Sequence, residues 1–326
     1  NELYGYTEKM DAAYMRDTIT PIGENRLLPV TVQTYQTAVD KISYEIRSLD
    51  AQRLIANADV TSYTENKGMI SMELPIQNLL EKNEEYLLVI QLESGDRMIY
   101  YYTRIIESQN SYVSECIDFV KQFNDTTFDS EKASSLSTYM EKTTGDNTTL
   151  QYVTLNNSLN QVSWAEFHGT RLTTPVPSVK EITPTYNVIV LDYVVTRVGQ
   201  NGQSEYYNVE EYYRVRYTNT RMYLLNFERT MEEIFRGEND SISGNDILLG
   251  IRSKDVEYQT NESGKVVAFV QEGELWSYNQ EANTLAKVFS FRGYEGVDDR
   301  ENYGEHDIKI VNIDEAGSID YIVYGY

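Results

Sequence analysis

Few side chains in this sequence are arranged as catalysis or metal binding would require. The 326 residues include two histidines, His168 and His306, and one cysteine, Cys116. A zinc site needs several nitrogen or sulfur ligands at short spacing, and these three residues lie far apart in the chain. Nucleophile-elbow, phosphate-loop and dinucleotide-binding motifs do not occur either. We therefore assign no catalytic residue, and we predict that Cys116, beside Ile117 and Val120, is a buried structural thiol.

The densest run of acidic residues lies close to the C-terminal end of the sequence. Asp298, Asp299 and Glu301 are followed by Glu305 and Asp307. Because Ca²⁺ prefers several converging carboxylates, the first three are the candidate metal ligands and calcium is the candidate cofactor. The spacing is not that of an EF-hand, since a tyrosine and an isoleucine stand where two ligands should be. A solvated loop between strands is the preferred alternative.

The charge balance excludes two classes of partner. Fifty-one acidic residues against 28 basic ones give a net charge of −23. Such a surface repels phosphate backbones and anionic lipid headgroups, so we predict no nucleic-acid partner. No run of about 18 apolar residues occurs, so we predict no direct membrane insertion in this segment. The 28 tyrosines suit either half-buried strand positions or a binding face.

Three long segments in the middle of the chain alternate apolar and polar residues. They are Tyr186–Arg197, Glu205–Thr218 and Met222–Arg229. This period-two alternation predicts three antiparallel strands joined by short polar turns. Val188, Val190 and Val194 share one face of the first strand. If the helices fully cover this face the sheet is structural, and if they leave a cleft, that cleft is the first place to look for a site.

The spacing before these strands is that of helices. Val113, Cys116, Val120 and Phe123 recur at helical intervals, with Ser111 as the predicted N-cap. A second helix is predicted at Ser130–Lys142 and a strand at Val162–Arg171. Two helices followed by a bent antiparallel sheet resemble an NTF2-like or cystatin-like α+β domain, here residues 109–232. NTF2-like cones often hold a pocket, so the resemblance implies five candidate ligand-binding residues: Trp164, His168, Asp192, Tyr193 and Tyr213.

Residues 27–108, which follow a lead-in segment at 1–26, contain several short strand-like runs. Their alternation and the spacing Leu80-Glu-Lys-Asn-Glu-Glu-Tyr86 resemble an immunoglobulin-like or fibronectin-III β-sandwich with its tyrosine corner. The resemblance implies a hydrogen bond between the Tyr86 phenol and nearby backbone. With one cysteine in the whole chain, a disulfide-bonded immunoglobulin domain is excluded.

The last part of the chain, after a polar linker at 233–246, has an all-β pattern. The run Asn261-Glu-Ser-Gly-Lys-Val-Val-Ala-Phe-Val270 is followed by Glu272-Gly-Glu-Leu-Trp-Ser-Tyr278 and by Leu285–Arg292. These runs resemble a blade of a TolB or WD40-like β-propeller. Residues 247–326 would supply roughly one and a half blades, fewer than the four or so that closure needs.

The sequence therefore predicts a mainly β multidomain chain: a β-sandwich, an α+β domain with a bent antiparallel sheet, and a propeller-like segment. It begins at Asn1 rather than Met and ends inside a predicted strand, which indicates a piece of a longer membrane-anchored bacterial protein. The expected function is that of an extracytoplasmic scaffold, sensor or adhesion-type binding protein. Its partner would be a protein or glycan of the cell envelope. The alternative is part of a secreted, glycan-acting hydrolase whose propeller is incomplete in this segment.

Overall fold

Half of the chain lies in strands and 9% in helices, so the predicted mainly β, multi-sheet fold class is confirmed. The computed structural model describes residues 1–76, 80–141, 149–165, 167–199, 201–237, 241–244, 246–252, 255–292 and 306–325. The chain forms two compact units, each assembled from three stretches. The first unit comprises Asn1–Glu141, Pro175–Asp192 and Glu211–Glu228, and the second Lys142–Thr174, Tyr193–Glu210 and Arg229–Tyr326. The boundaries and order of the predicted domains stay predictions.

The first third of the chain folds into two sheets. Its strands are β1 (Ile19–Pro21), β2 (Leu27–Gln33), β3 (Lys41–Ser48), β4 (Leu54–Asp59), β5 (Tyr63–Asn66), β6 (Met69–Pro75), β7 (Glu85–Ser94) and β8 (Arg97–Ile106). One sheet has the order β1-β8-β7-β3-β4 and the other the order β2-β6-β5. Strand β1 pairs in parallel with β8, so the predicted lead-in segment contributes a strand to the larger sheet.

These two sheets share one hydrophobic core. Alternate residues of β3 and β6 point into it, including Ile42, Ile46, Ile70 and Leu74, all at most 1% exposed. Burying each such side chain contributes about 1.5–3 kcal/mol, which explains why period two is so clear in the sequence. The hydrogen bond implied by the tyrosine spacing is present: the Glu81 N–H donates to the Tyr86 phenol oxygen at 3.0 Å.

One long helix, α1 (Val113–Thr127), covers part of the first unit, with Cys116, Val120 and Phe123 on its buried face. The predicted N-cap is wrong, because Tyr112 holds that position in a left-handed conformation without a side-chain cap. The predicted second helix is also shorter than expected. It is one 3₁₀-helix at Ala133–Thr138, in a serine-rich stretch with weak helix propensity.

The middle of the chain forms a six-stranded sheet around the three predicted strands. Its elements are β9 (Tyr152–Thr154), α2 (Leu159–Val162), β10 (Thr170–Arg171), β11 (Ser178–Ile182), β12 (Asn187–Val198), β13 (Ser204–Thr218) and β14 (Arg221–Glu233). The sheet order is β10-β12-β13-β14-β9, and β11 also pairs with β12. The strand predicted at Val162–Arg171 is wrong. That stretch ends α2, passes through a turn and reaches only the two-residue strand β10.

The face of β12 that carries Val188, Val190 and Val194 is buried in its first half only. Val188 and Val190 are buried, but Val194 is half-buried, and Leu191, Tyr193 and Val195 on the other face are buried as well. The first half of this strand is therefore covered on both faces. Apolar residues occupy both, so no alternation of apolar and polar residues distinguishes a buried face from an exposed one.

The rest of the second unit is also built from strands. They are β15 (Ile242–Ser243), β16 (Asp246–Ile247), β17 (Tyr258–Thr260), β18 (Val266–Gln271), β19 (Glu274–Asn279), β20 (Thr284–Phe289), β21 (His306–Ile313) and β22 (Ile319–Gly325). Strands β17 to β20 form an antiparallel sheet in chain order. Val266, Ala268 and Leu275 on one face pack with residues of β21 and β22, while Phe269 and Trp276 on the other pack with Phe235. Within the described part of the chain, no helix has the length and apolar character needed to cross a membrane.

Candidate functional site

Arginine and tyrosine side chains lie together on one face of β13 and the strands beside it. We call this surface the arginine–tyrosine face and define it by these residues of the first unit: Tyr186, Tyr212, Arg214, Arg216, Arg221 and Tyr223. The Arg214 guanidinium lies 4.0 Å from the centre of the Tyr186 ring. Arg216 and Arg221 lie 5.0 and 4.9 Å from the centre of the Tyr223 ring. Stacking on aromatic rings holds the guanidinium groups in place, and it leaves the N–H edges of the exposed Arg216 and Arg221 to meet a ligand.

Acidic side chains lie beside the arginine–tyrosine face. The Tyr186 phenol donates to Glu181 Oε1 at 2.8 Å, and Asn226 Nδ2 donates to Glu228 Oε1 at 2.8 Å. Partial burial raises the pKa of the Tyr212 phenol, so that ring stays neutral and can donate a hydrogen bond. Arg216 and Arg221 are exposed. The face can therefore bind a carboxylate or another planar anion through paired N–H donors.

The opposite face of β13 carries a buried polar cluster. Asn124 Nδ2 donates to Glu211 Oε2 at 2.8 Å, and the Tyr213 phenol donates to the same oxygen at 2.5 Å. All three side chains are 0% exposed. The Tyr213 ring lies 5.7 Å from that of Phe123 and 5.2 Å from that of Phe227, so this predicted pocket residue is packed in an aromatic core.

Trp164 and His168 lie in the turn that follows α2. Both have a left-handed backbone, with φ of 56° and 55°, and the His168 N–H donates to the Trp164 carbonyl at 3.2 Å. The indole is buried against the Arg229 guanidinium, 4.0 Å from the ring centre. His168 is exposed. The two predicted site residues are thus close in backbone but differ in environment.

Asp192 and Tyr193 complete the predicted ligand-binding set. Asp192 is exposed and Tyr193 is 4% exposed, as expected for neighbours on opposite sides of a strand. Asp192 and Tyr213 belong to the first unit, and Trp164, His168 and Tyr193 to the second. The five residues as one ligand-binding set therefore stay a prediction.

The candidate calcium ligands Asp298, Asp299 and Glu301 lie outside the described residues. In the rest of the structure as described, no group of three or more His, Cys, Asp or Glu side chains is placed to hold a metal ion. The calcium site stays a prediction. Cys116 is buried, as predicted, and accepts a hydrogen bond from Asn187 Nδ2 at 3.3 Å.

An open groove of about 420 Å³ runs beside α1. It is lined by Asp118, Lys121, Gln122, Asp125, Thr126, Asp129 and Lys132. Lys132 Nζ pairs with Asp129 Oδ2 at 2.7 Å, and both partners are substantially solvent-accessible. Alternating charges of this kind are typical of a solvated helix surface rather than a ligand site.

A second cluster of charged groups lies in the second unit at the turn between β18 and β19. Glu272 accepts a hydrogen bond from Asn208 Nδ2 at 2.5 Å and shares a hydrogen bond with the Glu232 carboxyl. Arg252 Nη2 lies 3.7 Å from Glu232 Oε2. Burial, followed by the contact with Glu232, raises the pKa of Glu272 to about 7. The two carboxyl groups can therefore hold one proton between them near neutral pH.

Neither the arginine–tyrosine face nor the Glu232–Glu272 pair was predicted from the sequence as a candidate site. The alternation Tyr212-Tyr-Arg-Val-Arg-Tyr217 places Arg214 and Arg216 on one face of a strand, and this signal could have identified the arginine–tyrosine face. Glu232 and Glu272 are forty positions apart, and no local pattern connects them.

No protein-family model matches the chain, and no curated protein matches it in sequence. The roles of the arginine–tyrosine face and of the Glu232–Glu272 pair are therefore inferred from the positions and contacts of their side chains alone.

Proposed function

We propose that this chain is a binding protein of the extracytoplasmic scaffold, sensor or adhesion type, and that it binds an acidic segment of a protein partner through the arginine–tyrosine face. The observation that carries the proposal is the set of three guanidinium groups stacked on Tyr186 and Tyr223 along one partly exposed sheet face. Arginine and tyrosine are enriched in protein interfaces and dominate their binding energy.

The stacking geometry favours a protein carboxylate over a glycan. Sugar rings bind by lying on open aromatic faces, whereas guanidinium groups already lie against the Tyr186 and Tyr223 rings. The groups presented to a partner are the N–H edges of the exposed Arg216 and Arg221, with the half-buried Arg214 beside them, and a carboxylate accepts two such bonds at once. Because the whole chain carries a charge of −23, this concentration of arginine gives an anionic segment one preferred place to bind.

An extracytoplasmic location in a bacterial envelope, with a membrane anchor elsewhere in the full-length protein, is part of the same proposal. The strongly acidic composition supports it, because net charge keeps a surface-exposed domain soluble. The single, fully buried cysteine also supports it, because it leaves no exposed thiol to react in an oxidising compartment.

The direct test is binding of a fluorescent oligoglutamate peptide, with an oligoglutamine peptide of equal length as the neutral probe. We expect the glutamate peptide to bind more tightly, and we expect binding to weaken as NaCl rises from about 50 to about 300 mM. The triple variant Arg214→Gln/Arg216→Gln/Arg221→Gln should lose at least about tenfold in affinity.

The matched control removes three positive charges from exposed positions elsewhere: Arg53→Gln/Lys67→Gln/Arg97→Gln. It should change the affinity by less than about twofold, because charges more than a Debye length from the site are screened. Equal losses in both triple variants would show that only net charge matters and would contradict the proposed site. Binding of envelope glycans that survives the first triple variant would instead favour a glycan partner at another surface.

A secreted, glycan-acting hydrolase is the second candidate, and the Glu232–Glu272 pair is the observation that favours it. Two carboxyl groups that share a proton can act as acid and base. However, glycosidases hold their carboxyl groups about 5–10 Å apart, whereas these two are in hydrogen-bond contact. Turnover of chromogenic glycosides that is abolished by Glu272→Gln would reverse the order of the two candidates.

A further inference from the structure

The turn between β18 and β19 rests on β13 and β14 through side chains of two successive residues. Glu272 meets Asn208 and Glu232, and Gln271 Nε2 donates to the Glu233 carbonyl at 2.8 Å. Gln271 is 1% exposed and Glu272 is mostly buried. These contacts attach the hairpin of β18 and β19 to the long strands β13, through Asn208, and β14, through Glu232 and Glu233.

The backbone of this turn shows that Glu272 is an unusual choice. Gln271 pairs with Glu274, so Glu272 and Gly273 form a two-residue hairpin turn, with φ of 48° and 69°. Such turns favour asparagine, aspartate or glycine at the first position. A glutamate in a left-handed conformation costs about 1–2 kcal/mol, and such strain is a reason to look for a role of the side chain.

Charged groups from four elements face this turn in the described structure. Glu232 lies on β14, Arg252 follows β16, Arg292 follows β20, and His306 lies on β21. The His306 Nε2 atom is 3.1 Å from the Gly273 carbonyl oxygen. Arg292 favours the ionised form of Glu272, but burial and the Glu232 carboxyl outweigh it.

We propose that Glu232 and Glu272 form a proton-binding pair that makes the attachment of the β18–β19 hairpin to β14 dependent on pH. With one proton in the pair, a carboxylic acid donates to a carboxylate and the hairpin is held. With none, two carboxylates face each other in a partly buried site, and repulsion together with desolvation weakens the attachment.

The direction of the effect follows from the difference between attached and free states. The pKa of Glu272 is raised from 4.5 to about 7 in the attached state, so that state binds the proton more tightly. Attachment is therefore strongest below about pH 4.5, weakens as pH rises to about 7, and is constant above that. Across this window the attachment constant should fall by roughly a hundredfold.

Backbone amide exchange of Val266–Asn279, measured by mass spectrometry at about pH 5.5 and about pH 8, tests the proposal. After correction for intrinsic exchange, we expect protection to be at least about tenfold lower at the higher pH. In Glu272→Gln a neutral amide replaces the protonated carboxyl group, so the difference between the two pH values should disappear.

Two variants separate the pair from other charged groups. Glu262→Gln changes an exposed glutamate before β18 and should keep the wild-type pH dependence. His306→Asn removes the neighbouring imidazole and should keep it too. Protection that is equal at both pH values in the wild type, or a pH dependence lost in His306→Asn, would overturn the proposal. Should Glu272→Gln fail to fold, carbon-detected titration of the wild-type Glu272 carboxyl decides instead, and a midpoint near its ordinary value of 4.5 would contradict the pair.

Discussion

At the scale of single residues, buried polar groups explain why the predicted pocket residue Tyr213 has a structural role. Its phenol and Asn124 converge on one carboxyl oxygen of Glu211, and none of the three side chains reaches solvent. A buried carboxyl group must keep its hydrogen bonds, because leaving it without them costs more than the bonds themselves contribute. The position therefore tolerates little change even if it never touches a ligand.

This arrangement predicts the effect of removing one hydroxyl group. Tyr213→Phe keeps the aromatic packing against Phe123 and Phe227 but deletes the donor to Glu211, so the free energy of unfolding should fall by about 1–3 kcal/mol. Urea denaturation followed by circular dichroism measures it. The control is Tyr212→Phe on the other face of the same strand, which should lie within about 0.5 kcal/mol of wild type. Equal losses in both variants would show that the Tyr213 hydroxyl contributes nothing specific.

At the scale of secondary-structure elements, α1 is held to the first unit by a buried stripe that includes Cys116. Because this is the single cysteine of the chain, its reactivity reports when the helix moves away from the strands beneath it. Burial is the largest contribution that raises the pKa of the Cys116 thiol, so little reactive thiolate is present at neutral pH.

We therefore expect iodoacetamide to label Cys116 very slowly at about pH 8 in the folded protein and completely in denaturant. The matched control is Ser114→Cys in a Cys116→Ser background, since residue 114 is exposed on the same helix. It should be labelled at least about a hundredfold faster. Intact mass spectrometry over time gives both rates. Rapid labelling of native Cys116 would show that α1 opens readily.

The elements also show which parts of the fold are visible in a sequence. Strand β3 occupies Lys41–Ser48 because Ile42, Tyr44 and Ile46 alternate with solvated residues, and that alternation depends on local chemistry alone. The strand predicted at Val162–Arg171 is wrong because the chain turns at Trp164 in a left-handed conformation. The Trp164 ring packs against Arg229, which lies sixty-five positions later in the sequence. The arginine–tyrosine face can be predicted from the sequence because Arg214 and Arg216 lie close together on one strand. The Glu232–Glu272 pair cannot, because folding brings together two residues that are forty positions apart.

At the scale of the whole molecule, net charge is the dominant property. With a charge of −23 and a sequence pI near 4.5, the folded chain repels itself at neutral pH. At 0.1 M salt the Debye length is about 10 Å, so added salt weakens this repulsion. Salt also weakens exposed ion pairs, but these contribute little to the free energy of unfolding.

We therefore predict that the melting temperature at about pH 7 rises by several degrees between about 10 and about 300 mM NaCl. Differential scanning fluorimetry measures the shift. At about pH 5, where the net charge is smaller, the same increase in salt should have a smaller effect. A melting temperature that falls with salt at neutral pH would show that attractive ion pairs outweigh the net repulsion.

The interleaved composition of the two units has a consequence for how the chain folds during its synthesis. The first unit includes Asn1–Glu141 but also needs Glu211–Glu228, so it cannot be completed until residue 228 has been made. The intervening 87 residues (228 − 141) take about 4–17 s to translate at about 5–20 residues per second. During that interval the early sheets already have their shared core, but α1 waits without the strands that carry Tyr213 and Phe227, against which its Phe123 packs. Any chaperone that assists this protein would therefore act while the nascent chain is between these two lengths.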